Sequence, residues 1–286
     1  FTMVRGATAR DLLMQNGRAT GVSAETPAGH RECRGDLVIA ADGRTSVIRK
    51  RTNLHEDRIL SGFDVVWFRV PGTFLDGRAA RFYASHGHLF LMYPSPEGHL
   101  QFGWTIVKGT FADFRKMGAQ GWYAEIAPYI SPDLRDFLGA HREAMEHPVL
   151  LDVVCDRLIR WTVPGVLLIG DASHPMSPVG GQGINLALRD AIIAANHLVP
   201  ALARADASPA DIDVAARHVQ AERWQEVVQI QNMQQLAPAV VLSRGLLGKV
   251  LLSPAFVRLL TRFLGPLLIS RFDPFLHGAV QVKLRV

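Results

Sequence analysis

The chain has 286 residues, 48% of them hydrophobic, with 31 Lys and Arg against 26 Asp and Glu for a formal charge of +5. This describes an ordinary globular body with room for one large domain or two smaller ones sharing a sheet. The basic residues form no run of five or six, which argues against nucleic acid as a partner, and Cys33 and Cys155 alone exclude a disulfide framework and point to a reducing compartment, the cytoplasm.

Residues 1–60 open with short alternating β segments, turned by Asn16-Gly17 and by Pro27 to Gly29. DLVIAADGRTSVIRK then predicts a strand over Leu37 to Ala41, a turn at Asp42-Gly43 and a short helix from Thr45 or Ser46. Apolarity without alternation fits a strand covered on both faces, as in a parallel sheet. From Gly62 to Val107, the segments FDVVWFRV, ARFYAS, HLFLMYP and LQFGWTIV alternate with Pro and Gly punctuation and predict an antiparallel sheet. Phe111 to His141 predicts helix broken at Pro128 and Pro132, and Val149 to Arg160 a further strand leading to another at Val166 to Ile169. Beyond Gly183, Ile184, Leu188, Ala191, Ala195, Leu198 and Leu202 recur at helical spacing.

Two sheet systems therefore interleave. Residues 1–60 and 156–235 form a nucleotide-type part, 61–155 an antiparallel insert and 236–286 a helical tail, and the junction is where a ligand cleft is expected. No segment is expected to reach the roughly 18 uncharged apolar residues of a membrane span. The tail from Val240 to Phe272 is interrupted by Arg244, Lys249, Arg258, Arg262 and Arg271. It reads as helices packed on the body, or as a basic amphipathic surface making peripheral contact with anionic membrane lipid.

The stretch GVLLIGDASHPMSPVGGQGINLALRDA, residues 165–191, carries the chemistry. Gly170 and Asp171 end an apolar strand where open α/β sheets bind ligands. Pro175, Pro178, Gly180, Gly181 and Gly183 shape a tight loop, and a helix from Ile184 and Asn185 aims its unpaired N–H groups and positive end at whatever fills it. Neither GxxxxGK[ST] nor a complete GxGxxG is present, so phosphate fits poorly. A flavin fits better: Asp171 accepts from ribityl hydroxyls, and the helix end faces the N1–C2=O edge that becomes negative on reduction.

This stretch resembles the GD motif of the class A FAD-dependent monooxygenases, the family of para-hydroxybenzoate hydroxylase. LVIAADGRTSVIR resembles the DG motif of the same family at Asp42, Gly43, Ser46 and Arg49. The resemblance implies a mixed α/β fold: an FAD/NAD(P)-binding three-layer architecture without its first βαβ unit, an antiparallel substrate sheet and a helical C-terminus. It implies FAD as cofactor, held by Asp171, Gly170, Pro178, Gly180, Gly181, Gly183, Ile184 and Asn185, with Asp42, Gly43 and Arg49 in the region tied to FAD pyrophosphate and NAD(P)H. It also implies hydroxylation of a small, aromatic substrate with NAD(P)H and oxygen through a flavin C4a-hydroperoxide, and a homodimer as one assembly. The chain opens at Phe1 past any GxGxxG, so the text resembles the later two-thirds of such an enzyme and is expected to bind FAD poorly by itself.

Competing readings are a related flavin reductase or halogenase, or a module without bound FAD. No catalytic nucleophile, acid–base pair or metal site is expected. His86 and His88 have HxH spacing but lack a third ligand and fit a hairpin turn. His174 reads either as a hydrogen-bond donor to the flavin or as a structural contact. Trp67, Tyr83, Tyr93, Phe102 and Trp104 offer aromatic surface for substrate or for core, with Phe102 and Trp104 on one face and Gly103 and Thr105 on the other.

Overall fold

A computed structural model describes residues 1–59, 61–72, 80–85, 87–145 and 148–241, and beyond these only 253, 256, 258–260, 262–263, 265–266, 270, 273, 278 and 280–286. In chain order the elements are β1 (Thr8–Gln15), β2 (Arg18–Thr26), β3 (Gly29–Arg34), β4 (Val38–Ala40), α1 (Val47–Thr52), β5 (Glu56–Ile59), β6 (Phe63–Pro71), β7 (Arg81–Ser85), β8 (His88–Pro94) and β9 (His99–Val107). They continue with α2 (Phe111–Lys116), α3 (Gly118–Ile126), α4 (Pro132–Ala140), β10 (Val149–Leu151), β11 (Cys155–Leu158), β12 (Thr162–Val163), β13 (Val166–Leu168), α5 (Gly183–Ala203) and α6 (Pro209–Val241). Most of the tail, on which the helical and lipid-surface readings rest, lies outside the described residues. Two compact units result: residues 1–60, 154–233 and 272–286, and residues 61–153 and 234–271.

In the first unit β1, β2 and β3 form an antiparallel meander. Strand β13 pairs parallel with β4 and antiparallel with β12, and its Val166, Leu167 and Leu168 are fully buried, as continuous apolarity implies. The strand expected over Leu37 to Ala41 is not covered on both faces: among the described residues β4 lies at the sheet edge, and its Ile39 is 46% exposed. Helix α5 turns Leu186, Ile193, Ala194 and Leu198 into this core, and α6 adds Ala216, Val219, Val227 and Ile230.

The stretch Val179–Ala203 proves long and apolar enough to cross a membrane by length and composition, contrary to the expectation that no segment would be. Arg189 and Asp190 lie in its middle, and Asp190 is fully buried in an ionic cluster, as suits a helix laid against a protein core.

The second unit is built on the five-stranded antiparallel sheet β10-β6-β9-β8-β7. Val66, Phe68, Val70, Phe90, Phe102 and Trp104 project from one face into a core shared with Phe114, Trp122, Ile126, Leu134 and Leu138 of α2 to α4. Pro132 opens α4, where its missing N–H costs nothing, while Pro128 lies in a 3₁₀ turn. A further break falls at Gly118.

The single strand expected over Val149 to Arg160 is instead two. β10 pairs with β6, whereas β11 pairs with β5, a strand that the sequence reading lacked. The break has a cause at Val153, whose N–H donates to the buried carboxylate of Asp64 at 3.0 Å. That carboxylate also accepts from Lys108 Nζ (2.8 Å) and Gly109 N–H (3.0 Å). Burial opposes its ionisation, but these three donors outweigh burial and hold the Asp64 carboxyl below its ordinary range.

A carboxylate with a depressed pKa in the folded state stabilises the fold above its unfolded pKa, and that contribution fades as pH falls through the folded value. Unfolding followed from pH 7 downward should therefore show stability lost below about pH 4. Asp64→Asn should lower stability at pH 7 and flatten this acid limb, so an unchanged limb would contradict the assignment.

Candidate functional site

Strand β13 leads through extended Ile169 into Gly170, whose φ of 58° turns the chain and whose position lacks room for a side chain, since a Cβ would lie 3.1 Å from that of Ala187. The Gly170 carbonyl accepts from Ser173 N–H (2.9 Å), His174 N–H (2.9 Å) and Ser173 Oγ (3.0 Å). Asp171 is thus carried on a closed 3₁₀ turn at the carboxyl end of a parallel strand. Its carboxylate is 32% exposed, with Oδ2 at 3.3 Å from Arg44 Nε. A Cβ at Gly183 would lie 3.8 Å from Oδ1, so the carboxylate faces the first turn of α5.

The loop between them passes Pro178 and then Gly180 and Gly181, both left-handed (φ 77° and 64°) and exposed. Leu186 N–H donates to the Gln182 carbonyl at 3.0 Å, leaving the N–H groups of Gly183, Ile184 and Asn185 without intrahelical acceptors. Gln182 supplies no side-chain cap, and no acidic residue lies in the first turn of α5. The positive end of a 21-residue helix therefore has no compensating group of its own and faces only the Asp171 carboxylate, and Ile184, 76% exposed, leaves it open. Asn185 Nδ2 reaches Gln182 Oε1 at 3.4 Å. A cavity of about 360 Å³ opens beside these turns, lined by Gln182, Asn185, Leu186, Arg189, Glu226 and Ile230.

The DG turn forms because Asp42 caps α1. Its carboxylate accepts from Ser46 Oγ (2.5 Å), Val47 N–H (2.8 Å) and Ile48 N–H (3.2 Å), while Ser46 Oγ accepts from Arg49 N–H (2.9 Å). Gly43, at φ 80°, closes the turn by accepting from Ser46 N–H. The Arg49 guanidinium binds Glu56 (2.5 Å) and Asp156 (2.8 Å). Hydrogen bonds from Arg58 and Arg49 hold the Glu56 carboxyl low, whereas burial pushes that of Asp156 up against the pull of Arg49. The polar atoms of Asp42 and Arg49 thus organise the turn, and Arg44, between them, reaches Asp171. Arg44 escaped the sequence reading because nothing local marks a contact with a residue so distant in the chain.

His174 faces inward and is a structural contact, with Nε2 at 2.7 Å from Asp190 Oδ2 and both residues buried. Among the described residues no group of three His, Cys, Asp or Glu is arranged for a metal. His86 lies outside the described residues, and His88 stacks on Trp104 with centroids 4.8 Å apart.

The candidate aromatic residues divide by face. Tyr83, Phe102 and Trp104 belong to the helix-covered core of the second unit. Trp67 lies on the opposite face, over Gly103, with Tyr93 edge-on at 5.9 Å. The Tyr93 hydroxyl donates to Gln101 Oε1 at 3.1 Å, and burial pushes its pKa up.

The family model described as FAD binding domain matches residues 8–229. Over 248 residues the chain is 32% identical to 6-methylpretetramide 4-monooxygenase of Streptomyces rimosus, covering 86% of this chain and 57% of that protein. It is 30% identical to digeranylgeranylglycerophospholipid reductase 1 of Methanopyrus kandleri over 77% of this chain and 56% of that protein. The chain thus spans little more than half the length of these curated relatives. Among solved structures, Klebsiella pneumoniae HpxO complexed with FAD and uric acid superposes with a TM-score of 0.70 at 19% identity, covering 96% of this chain and 68% of that one, a likeness of fold.

Proposed function

Since this chain belongs to the FAD binding domain family, we propose that it serves an FAD-dependent monooxygenase that hydroxylates a small aromatic substrate with NAD(P)H and oxygen. The observation that carries this reading is the pairing of a partly exposed strand-end carboxylate, Asp171, with the uncapped N-terminus of α5 across a glycine loop. The site thus fits a polyol attached to a ring that gains negative charge. Asp171 would accept from ribityl hydroxyls. The N–H groups of Gly183, Ile184 and Asn185 would donate to the pyrimidine edge, with Gly170, Pro178, Gly180 and Gly181 shaping the approach.

Asp42, Gly43 and Arg49 hold the DG turn in place, and Arg44, which meets Asp171 at 3.3 Å, would be placed to donate to an anionic or hydroxyl group of the cofactor. Bound FAD supplies hydride acceptance and oxygen activation. The protein's share is to orient, to stabilise developing charge at the helix end and to keep water out.

We assign the unit of residues 61–153 to substrate. The names of relatives that act on aromatic compounds support an aromatic ligand. The sheet face bearing Trp67, Tyr93 and Gln101 suits such a ring better than the face filled by Phe102 and Trp104. Tyr93→Phe should raise KM or lower the product formed per NAD(P)H consumed, and leave FAD affinity unchanged. Steady-state kinetics identical to the parent would remove Tyr93 from the site.

The reading as a whole is tested by substrate-stimulated NAD(P)H oxidation with oxygen uptake and hydroxylated product. Saturation of an isoprenoid double bond without oxygen uptake would favour the reductase reading, which the Methanopyrus relative supports.

A further inference from the structure

A buried ionic cluster lies directly behind Asp171. Asp190 of α5 is fully buried, and its Oδ2 accepts from Gly170 N–H at 2.9 Å and lies 2.7 Å from His174 Nε2. Its Oδ1 accepts from Arg223 Nε of α6 at 2.8 Å. Arg223 continues to Glu226, which also pairs with Arg189 of α5 at 2.8 Å. His174 packs its ring 4.8 Å from that of Trp161.

Gly170, the residue before Asp171, is therefore held at both its N–H and its carbonyl. Asp190 holds the N–H of Gly170, while Ser173 and His174 hold its carbonyl. His174 joins the two grips, since its backbone N–H binds the Gly170 carbonyl and its ring binds Asp190.

Stability alone accounts badly for this cluster. Buried charges are often replaceable by apolar packing at no loss. Here, moreover, His174 Nδ1, Arg223 Nη2 and Trp161 Nε1 are buried without a hydrogen-bond partner among the described residues. What the cluster achieves is placement. Resting on the FAD reading above, we infer that Asp190 is a positioning residue for the cofactor: through Gly170 it sets where the Asp171 carboxylate stands, with His174 and Arg223 fixing Asp190 in turn. Asp190 is too deeply buried to touch a ligand, so its effect passes through Gly170 to the carboxylate that follows it.

The test is a thermodynamic cycle on FAD affinity, measured by flavin fluorescence quenching, with thermal unfolding of each variant alongside. Asp190→Asn cannot keep its oxygens on Gly170 and Arg223 at once and should weaken FAD binding about tenfold or more. The double variant Asp171→Ala with Asp190→Asn should bind no more weakly than Asp171→Ala alone, because a misplaced carboxylate that has been removed has nothing left to lose.

His174→Leu should weaken binding in the same direction, and His174→Gln, which can still donate to Asp190, should restore most of it. These two keep the question answerable should Asp190→Asn fold poorly. Losses that add in the double variant, or His174→Leu and His174→Gln binding alike, would overturn the inference. So would unaltered affinity in Asp190→Asn where Asp171→Ala is weakened, with the FAD reading intact. If Asp171→Ala itself binds FAD normally, the FAD reading falls first and the inference with it.

Discussion

In the full-length protein, Asp171→Ala should weaken FAD binding by about one to two orders of magnitude, measured by titrating the apoprotein with FAD. The carboxylate loses charge-assisted hydrogen bonds to hydroxyls, together worth about 1–3 kcal/mol. The fold should barely register the change. Asp171 is 32% exposed and its Arg44 partner 31% exposed, so water can take over the guanidinium, and the thermodynamic stability of such a variant should move by no more than about 0.5 kcal/mol. That contrast separates a ligand-binding carboxylate from a strand-end turn former. A variant with full FAD affinity and a destabilised fold would assign Asp171 to the turn.

The largest effect on stability is expected at Trp104→Ala, at about 3–5 kcal/mol in denaturant unfolding. Trp104 is 1% exposed. It stacks on His88 at 4.8 Å and meets Phe90 and Tyr129 at 6.1 and 5.8 Å. Removing the indole opens a cavity between the sheet and the helices of the second unit. Substrate selectivity should stay with Trp67 and Tyr93 on the other face. If Trp104→Ala kept its stability and changed which ring is hydroxylated, the two faces would have to be exchanged in this account.

Much of this architecture was legible because it is local. Continuous apolarity located the strands at Leu37 to Ala41 and Val166 to Ile169, although only β13 is buried on both faces, and the Asp42-Gly43 turn marked the start of α1, where Asp42 and Ser46 cap backbone N–H groups. The turn residues bounding β6 to β9 located those strands to within a residue or so of their observed ends. The alternation of Phe102 and Trp104 with Gly103 separated two faces, though not which of them the helices would cover.

What escaped were contacts between residues far apart in the chain. The break between β10 and β11 depends on Asp64 capturing Val153 N–H, and β5 exists as a strand because β11 returns to pair with it. Neither leaves a pattern in its own neighbourhood. The same holds for Arg44 meeting Asp171 and for His174 meeting Asp190: the motifs displayed each residue, but the fold chose the partners.

The most direct measurement is a structure of the protein with FAD bound. A ribityl hydroxyl should lie within hydrogen-bond distance of the Asp171 carboxylate and the flavin C2=O within reach of the N–H groups of Gly183 to Asn185. A flavin seated elsewhere, with Asp171 still paired to Arg44 and the first turn of α5 facing solvent, would contradict that placement.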